Sequence, residues 1–122
     1  MEVCLLSSDL FYASQLHGIV QRLGLNLAQV ATPADLLSRR AAANAGSDVV
    51  LIDLSTSDLD LDDLVSKLRE GHSEPKAILA YAPHVATAKL DAARKAGCDR
   101  VLTRGQAQRE IGDILSEYQS SL

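Results

Sequence analysis

The sequence predicts an α/β fold, a single domain over residues 1–122 with one parallel sheet and helices on both of its faces. Short apolar segments alternate five times with longer segments that carry helical signals, either apolar residues at helical spacing or typical start and stop residues. The third apolar segment, residues 49–52, is β-branched and apolar on both faces, which is typical of a central parallel strand. No linker rich in proline, glycine or serine divides the 122 residues, and that length suits one domain.

The first strand and helix have clear signals. Residues 3–6 form an apolar run that predicts the strand. The helix that follows has apolar residues at positions i, i+3, i+4 and i+7, namely Leu16, Ile19, Val20 and Leu23. Gly24 then provides a C-terminal stop, and residues 25–31 predict the second strand.

The second helix is predicted from its beginning. Thr32 suits the capping position, Pro33 suits the first helical position, and Asp35 places an acid in the first turn. The alanine-rich segment that follows is expected to end near Gly46, before the third strand at residues 49–52.

The remaining strands and helices are predicted from the same kinds of signal. Gly71 and Gly97 are expected to end the third and fourth helices. The predicted strands lie at residues 77–81 and 101–103, and the predicted helices at residues 61–68, 85–96 and 111–118. Acids in the run 57–63 lack the glycine and distal glutamate of a calcium loop, so we interpret them as helix-start residues stabilised by the helix dipole.

Composition excludes several classes of protein. A net charge of −4 offers no general attraction to nucleic acid. No apolar run approaches the roughly 20 residues of a membrane-spanning helix, and the N-terminus lacks the basic region of a signal peptide. Two cysteines are too few for a disulfide scaffold or a zinc cluster, and Cys4 is expected to be a free thiol in the core. We therefore expect a cytoplasmic domain that binds neither nucleic acid nor membrane.

Ligands and chemistry in such folds gather at the C-terminal ends of the strands. Polar residues stand at several of these ends. They are Ser7, Ser8 and Asp9, then residues 53–56, Tyr81, and Thr103 with Arg104.

These strand ends resemble those of response-regulator receiver domains, and the resemblance covers nearly the whole chain. Asp53, in the phrase VVLIDLS, stands where that family has its phosphoacceptor aspartate, and AGCDRVL resembles the family's approach to the fifth strand. The resemblance implies a flavodoxin-like sheet with strand order 2-1-3-4-5. In that order two strands separate Cys4 from Cys98, so a disulfide between them is not expected.

The active site departs from the family pattern at every position except Asp53. Ser7 and Ser8 replace the acidic pair that binds Mg²⁺ beside the phosphoacceptor. The switch positions, normally a small hydroxyl and an aromatic residue, are Tyr81 and Val101, and the lysine position is Arg104. The resemblance therefore implies a degenerate receiver, or pseudo-receiver. Such a site uses Asp53 weakly or not at all, and binds Mg²⁺ weakly if Asp9 assists Asp53.

Three functions follow as hypotheses. The first is a phosphorylation-independent signalling module, neither an enzyme nor a cofactor protein, that binds a sensor kinase, an output protein or a second copy of itself. The resemblance implies a binding face made by the fourth helix, fifth strand and fifth helix, with candidate contacts Tyr118, Lys89, Lys95 and Gln106.

The second hypothesis is a working receiver of a bacterial two-component phosphorelay, in which a histidine kinase phosphorylates Asp53 with Mg²⁺. The third hypothesis is a sensor of a small anion or ligand at the strand ends. Hydroxyl and guanidinium groups are natural partners of a small anion, and this site would use Ser7, Ser8, Tyr81 and Arg104.

Overall fold

A computed structural model describes residues 2–42, 49–70 and 74–120. Within these ranges the chain alternates five strands with five helices. The strands are β1 (Glu2–Leu6), β2 (Asn26–Val30), β3 (Val49–Asp53), β4 (Ala77–Ala82) and β5 (Arg100–Thr103). The helices are α1 (Leu10–Arg22), α2 (Pro33–Ala42), α3 (Leu61–Glu70), α4 (Thr87–Ala96) and α5 (Arg104–Ser120).

The five strands form one parallel sheet in the order β2-β1-β3-β4-β5, which confirms the predicted fold class. Successive side chains of a strand point to opposite faces of the sheet. Leu5 and Leu51 therefore pack on one face with α1 and α5, and Val50 packs on the other face with α2, α3 and α4. All five residues of β3 are buried, as expected for the central strand.

The helix signals of the sequence correspond to observed caps. The Thr32 hydroxyl accepts a hydrogen bond of 3.1 Å from the backbone N–H of Asp35 at the start of α2. Gly97 ends α4 in the left-handed conformation with φ of +95°, which glycine adopts without the steric penalty of a Cβ atom. The predicted stops at Gly46 and Gly71 lie outside the described residues.

Two helix starts differ from the prediction. Helix α4 begins at Thr87 rather than at residue 85, because a turn precedes it in which the Ala86 N–H donates to the Pro83 carbonyl. Helix α5 begins at Arg104, directly after β5. A reciprocal pair of hydrogen bonds fixes this start: the Thr103 N–H donates to Gln106 Oε1 at 2.9 Å, and the Gln106 N–H donates to Thr103 Oγ1 at 3.1 Å.

Neither Cys4 nor Cys98 forms a disulfide, and Cys4 is buried in β1, as predicted. None of the helices in the described ranges has the length and apolar character needed to cross a membrane.

Candidate functional site

The carboxylate of Asp53 is enclosed at the carboxyl edge of the sheet. Because β1 and β3 are neighbours, Ser7 follows β1 beside the end of β3. The Ser7 hydroxyl donates to Asp53 Oδ2 at 2.7 Å, and the Ser55 N–H donates to Oδ1 at 2.9 Å. Only 3% of the Asp53 surface is exposed. Both carboxylate oxygens are thus hydrogen-bonded, and the group is almost completely closed to solvent.

Ser7 is itself held rigidly. Its N–H donates to the Val30 carbonyl at 3.0 Å, and its own carbonyl accepts from Gln29 Nε2 at 2.9 Å. Its hydroxyl, which donates to Asp53, also accepts from the Asp9 N–H at 3.1 Å. Ser8 differs, since its side chain is exposed and forms no hydrogen bond within the described residues. The two serines therefore do not act as a pair.

Arg104 faces Asp9 rather than Asp53. One guanidinium nitrogen lies 3.6 Å from Asp9 Oδ2, and the group lies 5.0 Å above the Tyr12 ring. The Tyr12 hydroxyl donates to the Arg104 carbonyl at 2.6 Å, which fixes the start of α5 against α1. Asp9 also caps α1, because its Oδ1 accepts from the Tyr12 N–H at 3.0 Å. Among the described contacts, the ion pair of Arg104 is with Asp9, and none joins Arg104 to Asp53.

Tyr81 fills the space beneath this edge. Its side chain is fully buried, and its ring lies 5.1 Å from the Tyr12 ring at an interplanar angle of 55°. The hydroxyl lies toward Ser7 but reaches hydrogen-bond geometry with no described atom. Burial raises the pKa of Tyr81, with a further contribution from the negative charge of Asp53. Tyr81 is therefore a neutral core residue.

The two predicted switch positions lie apart. Tyr81 packs on the face covered by α1 and α5, whereas Val101 packs on the opposite face. The register of β4 and β5 explains this, since Tyr81 pairs with Leu102 and Ala80 pairs with Val101. Residues that point to opposite faces of a sheet cannot exchange places within one pocket.

The fold of this chain is similar to that of solved receiver domains. No family model matches the chain, and no curated protein matches it. The receiver domain of a sensor histidine kinase from Pseudomonas aeruginosa, solved with magnesium in its active-site cleft, superposes with a TM-score of 0.79 at 16% identity, covering 96% of this chain and 95% of that chain. The signal receiver domain of an HD domain-containing protein from Pseudomonas fluorescens superposes with a TM-score of 0.81 at 15% identity. It covers 98% of this chain and 87% of that chain. This chain has the receiver fold.

The receiver fold also occurs in a chain described as a pilus assembly protein from Burkholderia thailandensis. That structure has a TM-score of 0.73 at 20% identity and covers 98% of each chain. At such identities the similarity establishes the fold, and the chemistry has to be argued from the residues present.

The residues at the strand ends do not fit a Mg²⁺ site. Mg²⁺ in proteins takes oxygen ligands in octahedral geometry and usually binds through one or two free carboxylates. Here both oxygens of Asp53 are engaged, and Asp9 is divided between the α1 cap and Arg104. No group of three or more metal-ligating side chains occurs in the described part of the chain.

The groups of the predicted anion site are also engaged by other residues. The Ser7 hydroxyl gives its proton to Asp53, and Arg104 is paired with Asp9. The carboxylates of Asp53 and Asp9 outnumber the one guanidinium group at this edge, and their negative charge opposes an anion. The geometry brings Ser7, Tyr81 and Arg104 together but leaves Ser8 outside.

Sequence reasoning missed Tyr12, which joins the site through its ring and its hydroxyl. A signal existed, because Tyr12 precedes Leu16 by four positions and so continues the apolar stripe of the first helix toward its start. Asp9, which the sequence suggests as a weak metal ligand, caps α1, and an aspartate directly before a helix is a typical cap.

Proposed function

We propose that this domain is a phosphorylation-independent protein-interaction module, a pseudo-receiver that binds partner proteins without acting as an enzyme or holding a cofactor. The observation that carries the proposal is the closed carboxylate of Asp53, which is 3% exposed with both oxygens hydrogen-bonded. Accepting a phosphoryl group requires a free, accessible carboxylate oxygen. Here the bonds from Ser7 and Ser55 would first have to break.

The surroundings of Asp53 support the same proposal. A transferring phosphoryl group carries negative charge that a metal ion or a nearby cation stabilises. The metal ligands do not fit Mg²⁺, and Arg104 faces Asp9. A cation that is already paired with another carboxylate gives the transition state little stabilisation.

The binding face that the receiver fold suggests is formed by α4, β5 and α5. Tyr118 is half-buried there, with the Arg100 guanidinium 5.9 Å from its ring. Gln106 is unsuitable as a contact because its side chain caps α5. Similar structures carry this fold within a sensor histidine kinase and an HD domain-containing protein, which supports a partner in two-component signalling.

The test is an amide NMR spectrum recorded with Mg²⁺ alone and then with Mg²⁺ and beryllofluoride, a mimic of the phosphoryl group. We expect the amides of Ser7, Asp53 and β5 to keep their positions at millimolar Mg²⁺ and beryllofluoride. Shifts that begin at Asp53 and extend to β5 would establish a working phosphoacceptor and overturn the proposal.

Asp53→Asn is the matched control, because it keeps the size of the side chain and removes the nucleophilic oxygen. Shifts that persist in Asp53→Asn would arise from metal binding elsewhere, whereas shifts that disappear would locate the binding at Asp53. Partner proteins identified with the wild-type domain should bind Asp53→Asn with the same affinity. A loss of binding in that variant would also contradict the proposal.

A further inference from the structure

A groove runs between residues 54–62 and helix α4, and its lining begins at Leu54, which directly follows Asp53 and packs on the opposite face of the sheet from Tyr81. It consists of two adjoining depressions that share Leu59, Asp60, Leu61 and Ala92, and the depression beside Leu54 has a volume of about 620 Å³. Leu54, Leu59, Leu61 and Ala92 form its apolar floor. Leu54 is buried, the next two leucines are half-buried, and Ala92 is exposed, so part of this apolar surface faces solvent. An apolar groove of this size on a small domain is a typical place for a ligand or a partner segment.

The two walls of the groove carry opposite charges. Asp58, Asp60 and Asp62 lie along the wall formed by residues 54–62. Lys89 and Lys95 lie along the wall formed by α4, on the side facing the start of α3 rather than α5. This placement separates the two lysines from the binding face on which sequence analysis placed them.

The charges inside the groove are unpaired, unlike those beside it. Just outside, Asp63 pairs with Lys67 at 3.0 Å, and Asp91 pairs with Arg94 at 2.9 Å. Within the described ranges, none of the three aspartates and two lysines of the groove forms an ion pair. The Asp60 carboxylate accepts only the Asp63 N–H at the start of α3. The groove therefore keeps its charge available to an occupant.

The balance of charge favours a basic occupant. The aspartates outnumber the lysines, and their short side chains hold the negative charge close to the floor. Lysine side chains are long enough to turn their ammonium groups toward solvent while their methylene stems stay on the apolar surface. A cation that enters the groove therefore meets carboxylates on one wall and methylene groups on the other.

We propose that this groove binds a short segment of a partner protein in which apolar side chains lie next to a basic residue. The apolar side chains cover the leucine floor, and the basic residue faces Asp58 and Asp60. The inference rests on the proposed function in one respect, that the occupant belongs to a protein. It does not depend on the state of Asp53.

The test uses synthetic peptides, because the partner is unidentified. The ¹⁵N-labelled domain is titrated with acetyl-Arg-Leu-Leu-amide, and with acetyl-Glu-Leu-Leu-amide and acetyl-Arg-Ser-Ser-amide as controls. We expect saturable shifts confined to the amides of residues 54–62 and 89–95 with the first peptide. The glutamate peptide should bind at least about tenfold more weakly, since attraction is replaced by repulsion. The serine peptide should give no saturable shift, since it cannot cover the apolar floor.

Variants of the domain locate the binding. Ala92→Arg should abolish it by filling the floor of the groove. Ala41→Arg is the matched control, because Ala41 is also an exposed helical alanine but lies on α2. The double variant Asp58→Asn with Asp60→Asn should weaken binding about threefold, as expected for exposed charge pairs.

Three outcomes would overturn this inference: no saturable shift, equal binding of the glutamate peptide, or shifts centred on α5 and β5. The same groove amides shifting on dilution of the domain alone would identify a second copy as the occupant, which would also overturn it. The beryllofluoride experiment separates the two proposals, because its result concerns Asp53 and is independent of peptide binding.

Discussion

The rings of Tyr12 and Tyr81 lie in contact, but only one of the two hydroxyl groups forms a hydrogen bond within the described residues. The Tyr12 hydroxyl donates to the Arg104 carbonyl, whereas the buried Tyr81 hydroxyl has no partner among the described atoms. A buried polar group without a hydrogen bond costs about 1–3 kcal/mol, and a satisfied one contributes about 1 kcal/mol. Removing the two hydroxyls should therefore change stability in opposite directions.

We predict that Tyr81→Phe raises the free energy of unfolding by about 1 kcal/mol, and that Tyr12→Phe lowers it by about 1 kcal/mol. Both substitutions keep the ring, so the aromatic contact at 5.1 Å is preserved. Urea denaturation of the two variants and the wild type measures the difference. Destabilisation by Tyr81→Phe would show that its hydroxyl is hydrogen-bonded in solution.

For individual residues, the sequence predicts which side chains lie near one another better than it predicts the hydrogen bonds between them. The proximity of Ser7 and Asp53 follows from two neighbouring parallel strands ending at one edge. The enclosure of Asp53 does not follow, because it depends on the Ser7 rotamer and on a turn that brings the Ser55 N–H to the carboxylate. The pairing of Arg104 with Asp9 likewise depends on where α5 begins, which the sequence placed too late.

The helices offer two glycines that differ in conformation. Gly97 has a φ of +95° at the end of α4, where an alanine would be strained. Gly112 lies inside α5 with no left-handed backbone, and a Cβ atom there would meet Ile19 Cγ2 at 3.7 Å, an ordinary contact. Glycine in a helix interior costs about 0.5–1 kcal/mol relative to alanine.

We predict that Gly97→Ala lowers the free energy of unfolding by about 1 kcal/mol, because it forces a Cβ atom into the left-handed region. Gly112→Ala should raise it by about 0.5–1 kcal/mol through better helix propensity. Chemical denaturation of the two variants provides the comparison. A loss of stability in Gly112→Ala would mean that the α1–α5 contact cannot accept one methyl group.

The predicted elements succeed where the signal is local. The stripe of α1, the cap of α2 and the stop of α4 depend on residues a few positions apart, and each occurs as predicted. The roles of Lys89 and Lys95 depend on how α4 is rotated against the segment before α3. The neighbour of each exposed helical residue is a property of the packed structure, which the sequence of α4 alone does not give.

Across the whole molecule, the sheet separates two apolar layers, one under α1 and α5 and one under α2, α3 and α4. The closed Asp53 site belongs to the edge of the first layer, and the groove lies over the second. A partner can therefore occupy the groove without disturbing the Tyr12 and Tyr81 contacts.

The same burial makes the fold sensitive to alkaline pH. Burial raises the pKa of Tyr12 from 10.0 to about 12 and that of Cys98 from 9.0 to about 11, and it raises the pKa of Tyr81 as well. The folded chain therefore keeps protons that the unfolded chain releases between about pH 9 and 12. Between about pH 9 and 12 the unfolded state therefore binds fewer protons than the folded state. The free energy of unfolding keeps its full value below about pH 9 and falls as the pH rises above it.

We predict that the free energy of unfolding falls by about 1.4 kcal/mol per pH unit for each group that titrates only in the unfolded state. Cys98 contributes first, from about pH 9, and the two tyrosines follow from about pH 10. Urea denaturation at several values between pH 8 and 11.5 measures this slope. Cys98→Ala should remove the part between pH 9 and 10, and the double variant Tyr12→Phe with Tyr81→Phe should leave above pH 10 only the slope due to Cys98, which ends near pH 11. A wild-type stability that stays constant to pH 11 would contradict the burial of these three groups, because exposed groups titrate equally in both states.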